Sequence, residues 1–184
     1  MAHRVCPWWL GYLLASPLRR VFDNPARLLA PYVRPGMTVL EPGPGMGFFT
    51  LELARLVGPS GRVIAVDVQT RMLEGLKRRA RRAGLADRIE ARLTNPDSLG
   101  IGDLSSIDFI LAFAVVHELP SPSLFFAEAA RVLAAGGCLL LAEPKGHVRP
   151  AMFDDELQAA AHAGLVVAGR PAVSRSHSAL LKKT

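Results

Sequence analysis

The feature that most constrains the fold of this chain is a cluster of glycines between an apolar run and an amphipathic segment. The apolar run, residues 37–40, ends at the acidic residue Glu41. Three glycines follow at alternate positions: Gly43, Gly45 and Gly47. Three apolar residues then recur at helical spacing: Phe49, Leu53 and Leu56. This order predicts a strand, a tight turn and a helix, which together form the first βα unit of a nucleotide-binding α/β sheet.

The spacing of the glycines distinguishes between nucleotide ligands. A dinucleotide fingerprint, G-x-G-x-x-G, would require a glycine at position 48, but that residue is Phe48 and the third glycine is Gly47. The carboxylate of Glu41 would repel a pyrophosphate, whereas it suits a ligand that carries an ammonium and a sulfonium, such as S-adenosylmethionine (SAM). The alternative interpretation is a tight turn that serves packing alone.

With these residues, with Asp67, and with the ends of its fourth and fifth predicted strands, the chain resembles the class I SAM-dependent methyltransferases over about residues 36–184. The resemblance implies a Rossmann-like three-layer α/β sandwich around a seven-stranded, mostly parallel sheet whose last strand is antiparallel. It also implies SAM as the cofactor and S-adenosylhomocysteine as the product. Residues 1–35, which include the apolar segment from Trp8, are expected to form a helical cap or lid over residues 36–184.

Further elements follow from hydrophobic periodicity and from turn residues. Strands are predicted at residues 62–67, 88–93, 107–114, 138–142, 165–168 and 178–181. Helices are predicted at residues 26–33, 70–83, 122–135 and 151–163, the third ending at Gly136-Gly137. The last helix should bury Phe153, Leu157, Ala160 and Ala161. It should also carry Asp154, Asp155 and Glu156 in its first turns, where the helix dipole favours negative charge.

The residues predicted to bind the cofactor follow the strand ends. Asp67 ends the second strand and can accept two hydrogen bonds from ribose hydroxyls. The resemblance implies that Val68 lies beside the adenosine, that Asn95 binds the adenine, and that Phe113 and Ala114 line the donor side. In the glycine-rich turn it implies these residues: Glu41, Gly43, Pro44, Gly45 and Gly47. Alternative interpretations are a carboxylate at a helix N-terminus for Asp67 and an Asn-Pro turn for Asn95.

Four residues are candidates for the acceptor side of the reaction. His117 and Glu118 follow the fourth strand, and Lys145 and His147 follow the fifth, just after Glu143. Glu118 could orient His117 or act as a base, and His117 could instead be structural. No metal site is expected, because the chain has no H-E-x-x-H motif and no Cys/His cluster.

Composition restricts the setting in which the chain works. The 184 residues are 50% hydrophobic and 21% charged, which predicts a globular chain with one domain, and the resemblance implies that this is a methyltransferase domain over residues 36–184. Two cysteines provide no disulfide framework, so a reducing cytoplasm is the expected location. No apolar run approaches the roughly 18 residues that would cross a bilayer, and the superficial resemblance of residues 4–16 to a signal peptide is discounted.

The net charge of +6 permits nucleic acid as a partner without requiring it. The predicted helix at residues 70–83 has a basic face that is either solvated or contacts RNA. That face consists of Arg71, Lys77, Arg78, Arg79, Arg81 and Arg82.

The predicted function is SAM-dependent methyl transfer to a small-molecule acceptor, because the chain has no large insertion and no separate recognition domain. The alternatives are an RNA methyltransferase that uses the basic surface, a non-catalytic SAM-binding module and, less favoured, a nicotinamide-dependent oxidoreductase. The sequence leaves open which acceptor is methylated, which residue acts as a base, and how many copies of the chain assemble.

Overall fold

A computed structural model describes residues 24–95 and 98–183 of the chain. The helices are α1 (Pro25–Leu29), α2 (Thr50–Leu56), α3 (Thr70–Arg82), α4 (Pro122–Val132) and α5 (Pro150–His162). The strands are β1 (Thr38–Pro42), β2 (Arg62–Asp67), β3 (Ile89–Leu93), β4 (Ile107–Phe113), β5 (Leu133–Pro144), β6 (Leu165–Gly169) and β7 (Ser176–Lys183). Two short 3₁₀ turns complete these elements, at Ala86–Arg88 and Val116–Glu118.

All seven strands form one sheet, in the order β3-β2-β1-β4-β5-β7-β6. The pairs β1–β2, β2–β3, β1–β4 and β4–β5 are parallel. Strand β7 lies antiparallel between β5 and β6. This architecture confirms the predicted Rossmann-like sheet with an antiparallel last strand. The strand order reverses between β1 and β4, which is where sheets of this kind bind ligands.

Helices cover both faces of the sheet, and side chains of the central strands alternate between two large apolar clusters. On one face Leu40 of β1 packs in the cluster that contains Phe125 of α4 and Phe153 of α5. On the other face Val39 packs in the cluster that contains Leu29 of α1 and Leu53 of α2. Burial on both faces explains why the central strands are almost continuously apolar.

The predicted ends of strands and helices agree best with the structure where no tertiary pairing competes with the local sequence pattern. Strand β2 has the predicted bounds, and the side chain of Asn24 caps α1 with Pro25 in the first turn, also as predicted. The predicted end of the helix over 122–135 at Gly136-Gly137 is wrong, because α4 ends at Val132 and β5 begins at Leu133. Leu133 pairs with Ile107 before a register shift, so pairing with β4 competes with continuation of the helix.

The inward face of α5 also differs from the prediction. Phe153 and Ala160 are buried as expected, but Ala161 is exposed. Glu156, expected among the acidic residues of the first turns, is buried instead. Helical periodicity alone cannot indicate that a carboxylate belongs to the buried face.

The predicted N-terminal cap falls mostly on residues 1–23, which lie outside the described residues, so its role as a lid stays a prediction. Helix α1 is shorter than the predicted helix over 26–33, and it buries Leu29. Among the described helices, none is both long enough and apolar enough to span a membrane.

Gly47 has a packing role that is visible from its surroundings. Its φ is +84°, a conformation that strains any residue with a side chain, and an added Cβ would collide with Leu76 of α3. Leu76 is fully buried, so a shift of its side chain would have to be accommodated within the core. Gly47 therefore sets how closely α3 approaches the glycine-rich turn.

We predict that Gly47→Ala lowers the free energy of unfolding by roughly 2–4 kcal/mol, because it combines backbone strain with overpacking. Urea denaturation measures this change. The control is Gly102→Ala, since a Cβ at Gly102 meets no atom within 4 Å. Equal stability of the two variants would contradict the packing role.

Candidate functional site

The site begins where the sheet divides. Strand β1 stays paired with β2 as far as Pro42, which lies opposite Val66. Its pairing with β4 includes only Val39 and Leu40 and stops short of the carboxyl end of the strand. Beyond Leu40, β1 and β4 are no longer paired, and a crevice opens between their ends.

A cavity of about 420 Å³ occupies this crevice, within the range of about 300–1,000 Å³ that is usual for ligand pockets. Its walls come from the ends of β1, β2, β4 and β5 and from the loops that follow them. Four acidic residues line it: Glu41, Asp67, Glu118 and Glu128. Among the described residues that line the cavity there is no lysine and no arginine. The site is thus acidic and apolar within a chain whose net charge is positive.

The three glycines of the turn differ in what lies next to their backbone. Gly45 has φ +54° and lines the cavity, and an added Cβ there would meet no protein atom within 4 Å. It therefore leaves open space beside the backbone where a ligand can approach. Gly43 also lines the cavity, and its Cβ would lie 2.7 Å from a methyl carbon of Val115. Gly47, which packs against α3, is not among the lining residues.

Glu41 is a buried carboxyl group whose hydrogen-bonding capacity is not fully used by the described residues. Its side chain is 3% exposed, and its Oε2 atom has no hydrogen-bond partner among the described residues. Burial raises the pKa of Glu41 to about 8, and the charge of Asp67 adds to this increase. A carboxyl group in this state attracts a cation or a hydrogen-bond donor that enters the cavity.

Asp67 is the last residue of β2 and lines the same cavity. Its Oδ1 accepts a hydrogen bond of 2.8 Å from the backbone N–H of Gln69, which fixes the orientation of the carboxylate. Burial raises the pKa of Asp67 to about 6, although the backbone N–H groups of Gln69 and Gly45 lower it in part. Glu41 and Asp67 therefore share one cavity and lie on neighbouring strands.

The remaining candidates for cofactor binding border the same space. Pro44 and Val68 line the cavity, as do Asn95, Phe113 and Ala114. Ala114 has φ +55°, which is unusual for a residue with a side chain, and its N–H donates to the carbonyl of Ala142 at 2.7 Å. This bond holds the sharp bend after β4 and leads the chain into the 3₁₀ turn that carries His117.

The acceptor-side candidates divide into two groups. His117, Glu118 and His147 line the cavity, and the rings of the two histidines lie 5.6 Å apart. Lys145 is exposed and is not among the lining residues. The structure thus brings together three of the four residues.

Glu143 is the group that contacts His117 and orients its ring, whereas the sequence suggested Glu118 as a residue that could orient His117 or act as a base. Its Oε2 contacts Nδ1 of His117. Its Oε1 accepts the backbone N–H groups of Val115 at 3.2 Å and of Val116 at 2.8 Å. Glu143 is fully buried at the end of β5, and Glu156 of α5 is a second buried carboxyl group whose charge acts on the same histidine. The sequence pointed to Glu118 because it is adjacent to His117. The sequence does not show that β4 pairs with β5, which brings Glu143 to the same histidine.

One residue of the predicted basic face of α3 differs from the expectation of a solvated or RNA-binding face. Arg79 is partly buried and donates through one guanidinium nitrogen to the carbonyl of Met46 at 2.5 Å. It therefore ties α3 to the glycine-rich turn. The other basic residues of this face are exposed, and none of them lines the cavity.

In the described ranges 24–95 and 98–183, no three His, Cys, Asp or Glu side chains are placed so that they could hold a metal ion.

Residues 34–172 match the family described as "Methyltransferase domain". The chain is 32% identical over 135 residues to an arsenite methyltransferase of Halobacterium salinarum, covering 73% of this chain and 33% of the relative. It is 30% identical over 147 residues to the ubiquinone/menaquinone biosynthesis C-methyltransferase UbiE of Brucella canis, covering 78% and 54%. A solved SAM-dependent methyltransferase from Aquifex aeolicus superposes with a TM-score of 0.82 at 25% identity, covering 96% of this chain and 98% of that one.

This chain spans a third to about half of the length of these two curated relatives. It spans nearly all of the Aquifex aeolicus structure.

We predict that Glu41→Gln stabilises the protein at alkaline pH. Because burial raises the pKa of Glu41 from 4.5 to about 8, the folded chain holds this proton more tightly than the unfolded chain. The resulting stability is fully present below the unfolded pKa and is lost as the pH rises through the folded one. Glutamine carries no charge to desolvate, so at pH 9 the variant should exceed the wild type by on the order of 3–5 kcal/mol. At pH 4 the two should be nearly equal.

Urea denaturation at both pH values measures this difference. Glu74→Gln, at an exposed position of α3, is the matched control and should show no such dependence on pH. A Glu41→Gln variant no more stable than the wild type at pH 9 would contradict the burial of an unpartnered carboxylate.

Proposed function

The chain belongs to the class I SAM-dependent methyltransferase family, and from this membership we propose that it transfers a methyl group from SAM to a small, uncharged acceptor bound in the same cavity. The observation that carries the proposal is the pair of buried carboxyl groups, Glu41 and Asp67, that line one cavity at the ends of neighbouring strands. An enzyme gains nothing in stability from burying two such groups without a ligand to meet them.

The residues present fit the donor. The unpartnered Oε2 of Glu41 is suited to the ammonium of the methionyl part, directly or through a water molecule. The open space beside Gly45 lets that part lie against the backbone. Asp67, oriented by the N–H of Gln69, can accept both ribose hydroxyls. Asn95 can both accept from and donate to an adenine edge, and Val68 would lie beside the adenosine.

The chemistry makes modest demands on the protein. Bound SAM supplies a methyl group attached to a positively charged sulfur. The positive charge already makes this sulfur a good leaving group. The chain must align the acceptor with that methyl group and exclude water. The apolar lining from Phe49 and Phe113, whose rings lie 4.5 Å apart, supports both tasks beside the glycine-rich turn.

The charge of the cavity favours a small molecule over RNA. RNA brings phosphates, and proteins bind phosphates with arginine and lysine. No such residue is found among the described residues that line this cavity. The acceptors implied by the names of the two curated relatives, arsenite and a quinone precursor, are small molecules as well. The exposed basic residues of α3 are then a solvated face.

We expect Asp67→Ala to weaken SAM binding by about 10- to 100-fold, because the variant loses charge-assisted hydrogen bonds to the ribose. Isothermal titration calorimetry with SAM measures the loss. Asp87→Ala is the control, since Asp87 is exposed and does not line the cavity. Unchanged affinity in Asp67→Ala, or no binding of SAM to the wild type at sub-millimolar concentrations, would contradict the proposal.

A second experiment separates the two classes of acceptor. The protein is incubated with a whole-cell extract and SAM labelled in its methyl group, and the extract is then divided into small-molecule and RNA fractions. We expect the label to enter the small-molecule fraction and to require the added protein. Label that enters RNA would contradict the small-molecule acceptor. Absence of label from both fractions, with SAM binding intact, would favour a non-catalytic module.

A further inference from the structure

We propose that His117 is a general base that takes a proton from a hydroxyl group of the acceptor, and that Glu143 is the positioning residue that holds His117 for this task. The acceptor is accordingly an uncharged, largely apolar molecule with an ionisable hydroxyl, such as a phenol. This inference rests on the proposed methyl transfer, because it concerns the second substrate of the same cavity.

Both carboxylate oxygens of Glu143 make contacts with the chain segment that carries His117. One carboxylate oxygen accepts two backbone N–H groups, those of Val115 and Val116. The other contacts Nδ1 of His117. Backbone amides can only donate, so they stabilise the ionised form of Glu143, which in turn can only accept. The proton shared with His117 therefore resides on Nδ1.

This placement determines what the other ring nitrogen can do. A neutral imidazole with its proton on Nδ1 carries a lone pair on Nε2, where it can accept a proton. Nε2 has no hydrogen-bond partner among the described residues, and the side chain of His117 is 13% exposed where it lines the cavity. The protein thus fixes one nitrogen through a buried carboxylate and leaves the other available to a bound molecule.

The charges around His117 suit a group that gains a proton. Carboxyl groups face it from its own turn (Glu118), from β5 (Glu143) and from α5 (Glu156), while His147 lies edge-on beside its ring. Burial by itself lowers the pKa of His117, but the hydrogen bond and charge of Glu143, with the charges of Glu118 and Glu156, raise it above its ordinary value. Burial also raises the pKa of Glu156 to about 8, and of these two carboxyl groups only Glu143 contacts the ring of His117 directly.

A dedicated base narrows the class of acceptor. A neutral amine or a thioether attacks through a lone pair that is already available, and it needs no base beforehand. A hydroxyl group is a weak nucleophile until it loses its proton, so its reactivity increases most when a base is present. In the balanced step, the acceptor oxygen forms a bond to the methyl carbon and its proton passes to Nε2. The bond from carbon to sulfur breaks, and its electron pair stays on the sulfur.

The first test needs no acceptor. The full chain is labelled with ¹⁵N in its histidines, and the tautomer and pKa of His117 are read by NMR. We expect the Nδ1–H tautomer above the pKa, and a pKa above 6.5. Glu143→Gln should lower this pKa by one unit or more and abolish the tautomer preference.

Glu156→Gln is the matched control, because both residues are buried carboxyl groups near His117 but only Glu143 bonds to it. It should leave the tautomer unchanged. A wild-type His117 in the Nε2–H tautomer, or equal effects of the two variants, would overturn the positioning role.

The second test uses 4-nitrophenol, whose phenolate absorbs at a longer wavelength than the phenol. It is titrated into the protein saturated with S-adenosylhomocysteine. Transfer of the proton to His117 should increase the phenolate fraction of the bound probe over that of the free probe at the same pH. His117→Asn should remove this increase, whereas His162→Asn, at an exposed position of α5, should retain it.

Absence of an increase in the wild type, or an equal increase in His117→Asn, would overturn the inference. Calorimetry of SAM with the same variants keeps this failure distinct from failure of the proposed function. Intact SAM binding without a phenolate shift would refute the base and the hydroxyl acceptor alone. Loss of SAM binding in the wild type would refute both proposals.

Discussion

The separation of β1 from β4 is the constraint on which the rest of this structure depends. The two strands pair only through Val39 and Leu40, so their carboxyl ends diverge. The parallel ladder on either side continues to Pro42 in β1 and to Phe113 in β4. The residues that we assign to direct contact with the donor or the acceptor line the cavity at that opening. Without the divergence, the glycine-rich turn and the bend at Ala114 would have no space between them.

Buried acidic groups at this opening oppose stability and favour binding. Glu41 at the end of β1 has an unpartnered oxygen atom, and Asp67 at the end of β2 has a raised pKa. On the acceptor side Glu143 is fully satisfied by two amides and a histidine, while Glu156 has an oxygen without a partner among the described residues. Unsatisfied groups of this kind mark the places where a protein sacrifices folding energy for function.

The sequence predicted the fold, and it named donor-side candidates most of which line one cavity in the structure, because local patterns carry both. An apolar run before alternate glycines predicts a strand and a ligand-binding turn, and an acidic residue at the end of the next strand predicts Asp67 on the cavity wall. Gly47, which the resemblance implied for the cofactor, is not among the residues that line the cavity, and an added Cβ there would meet Leu76 of α3. Spacing cannot distinguish a glycine that admits a ligand from one that admits a side chain.

The acceptor half depends on pairings between distant strands, which a single sequence does not reveal. His117 and Glu143 are 26 positions apart and meet only because β4 and β5 are neighbours. Glu156 looked like a surface residue because it shares its turn with Asp154 and Asp155, yet it faces inward. Lys145 follows the end of β5 even more closely than His147 does, but it is not among the residues that line the cavity. The end of α4 at Val132 was predicted wrongly for a similar reason. Leu133 pairs with β4, so the helix ends before it reaches Gly136-Gly137.

The most direct test of the central claim is a crystal structure of this protein with S-adenosylhomocysteine bound. The account predicts the amino group of the ligand within hydrogen-bond distance of Glu41, directly or through one water molecule, and the ribose hydroxyls on Asp67. A ligand bound outside the opening between β1 and β4, or bound there with its amino group directed away from Glu41, would contradict it.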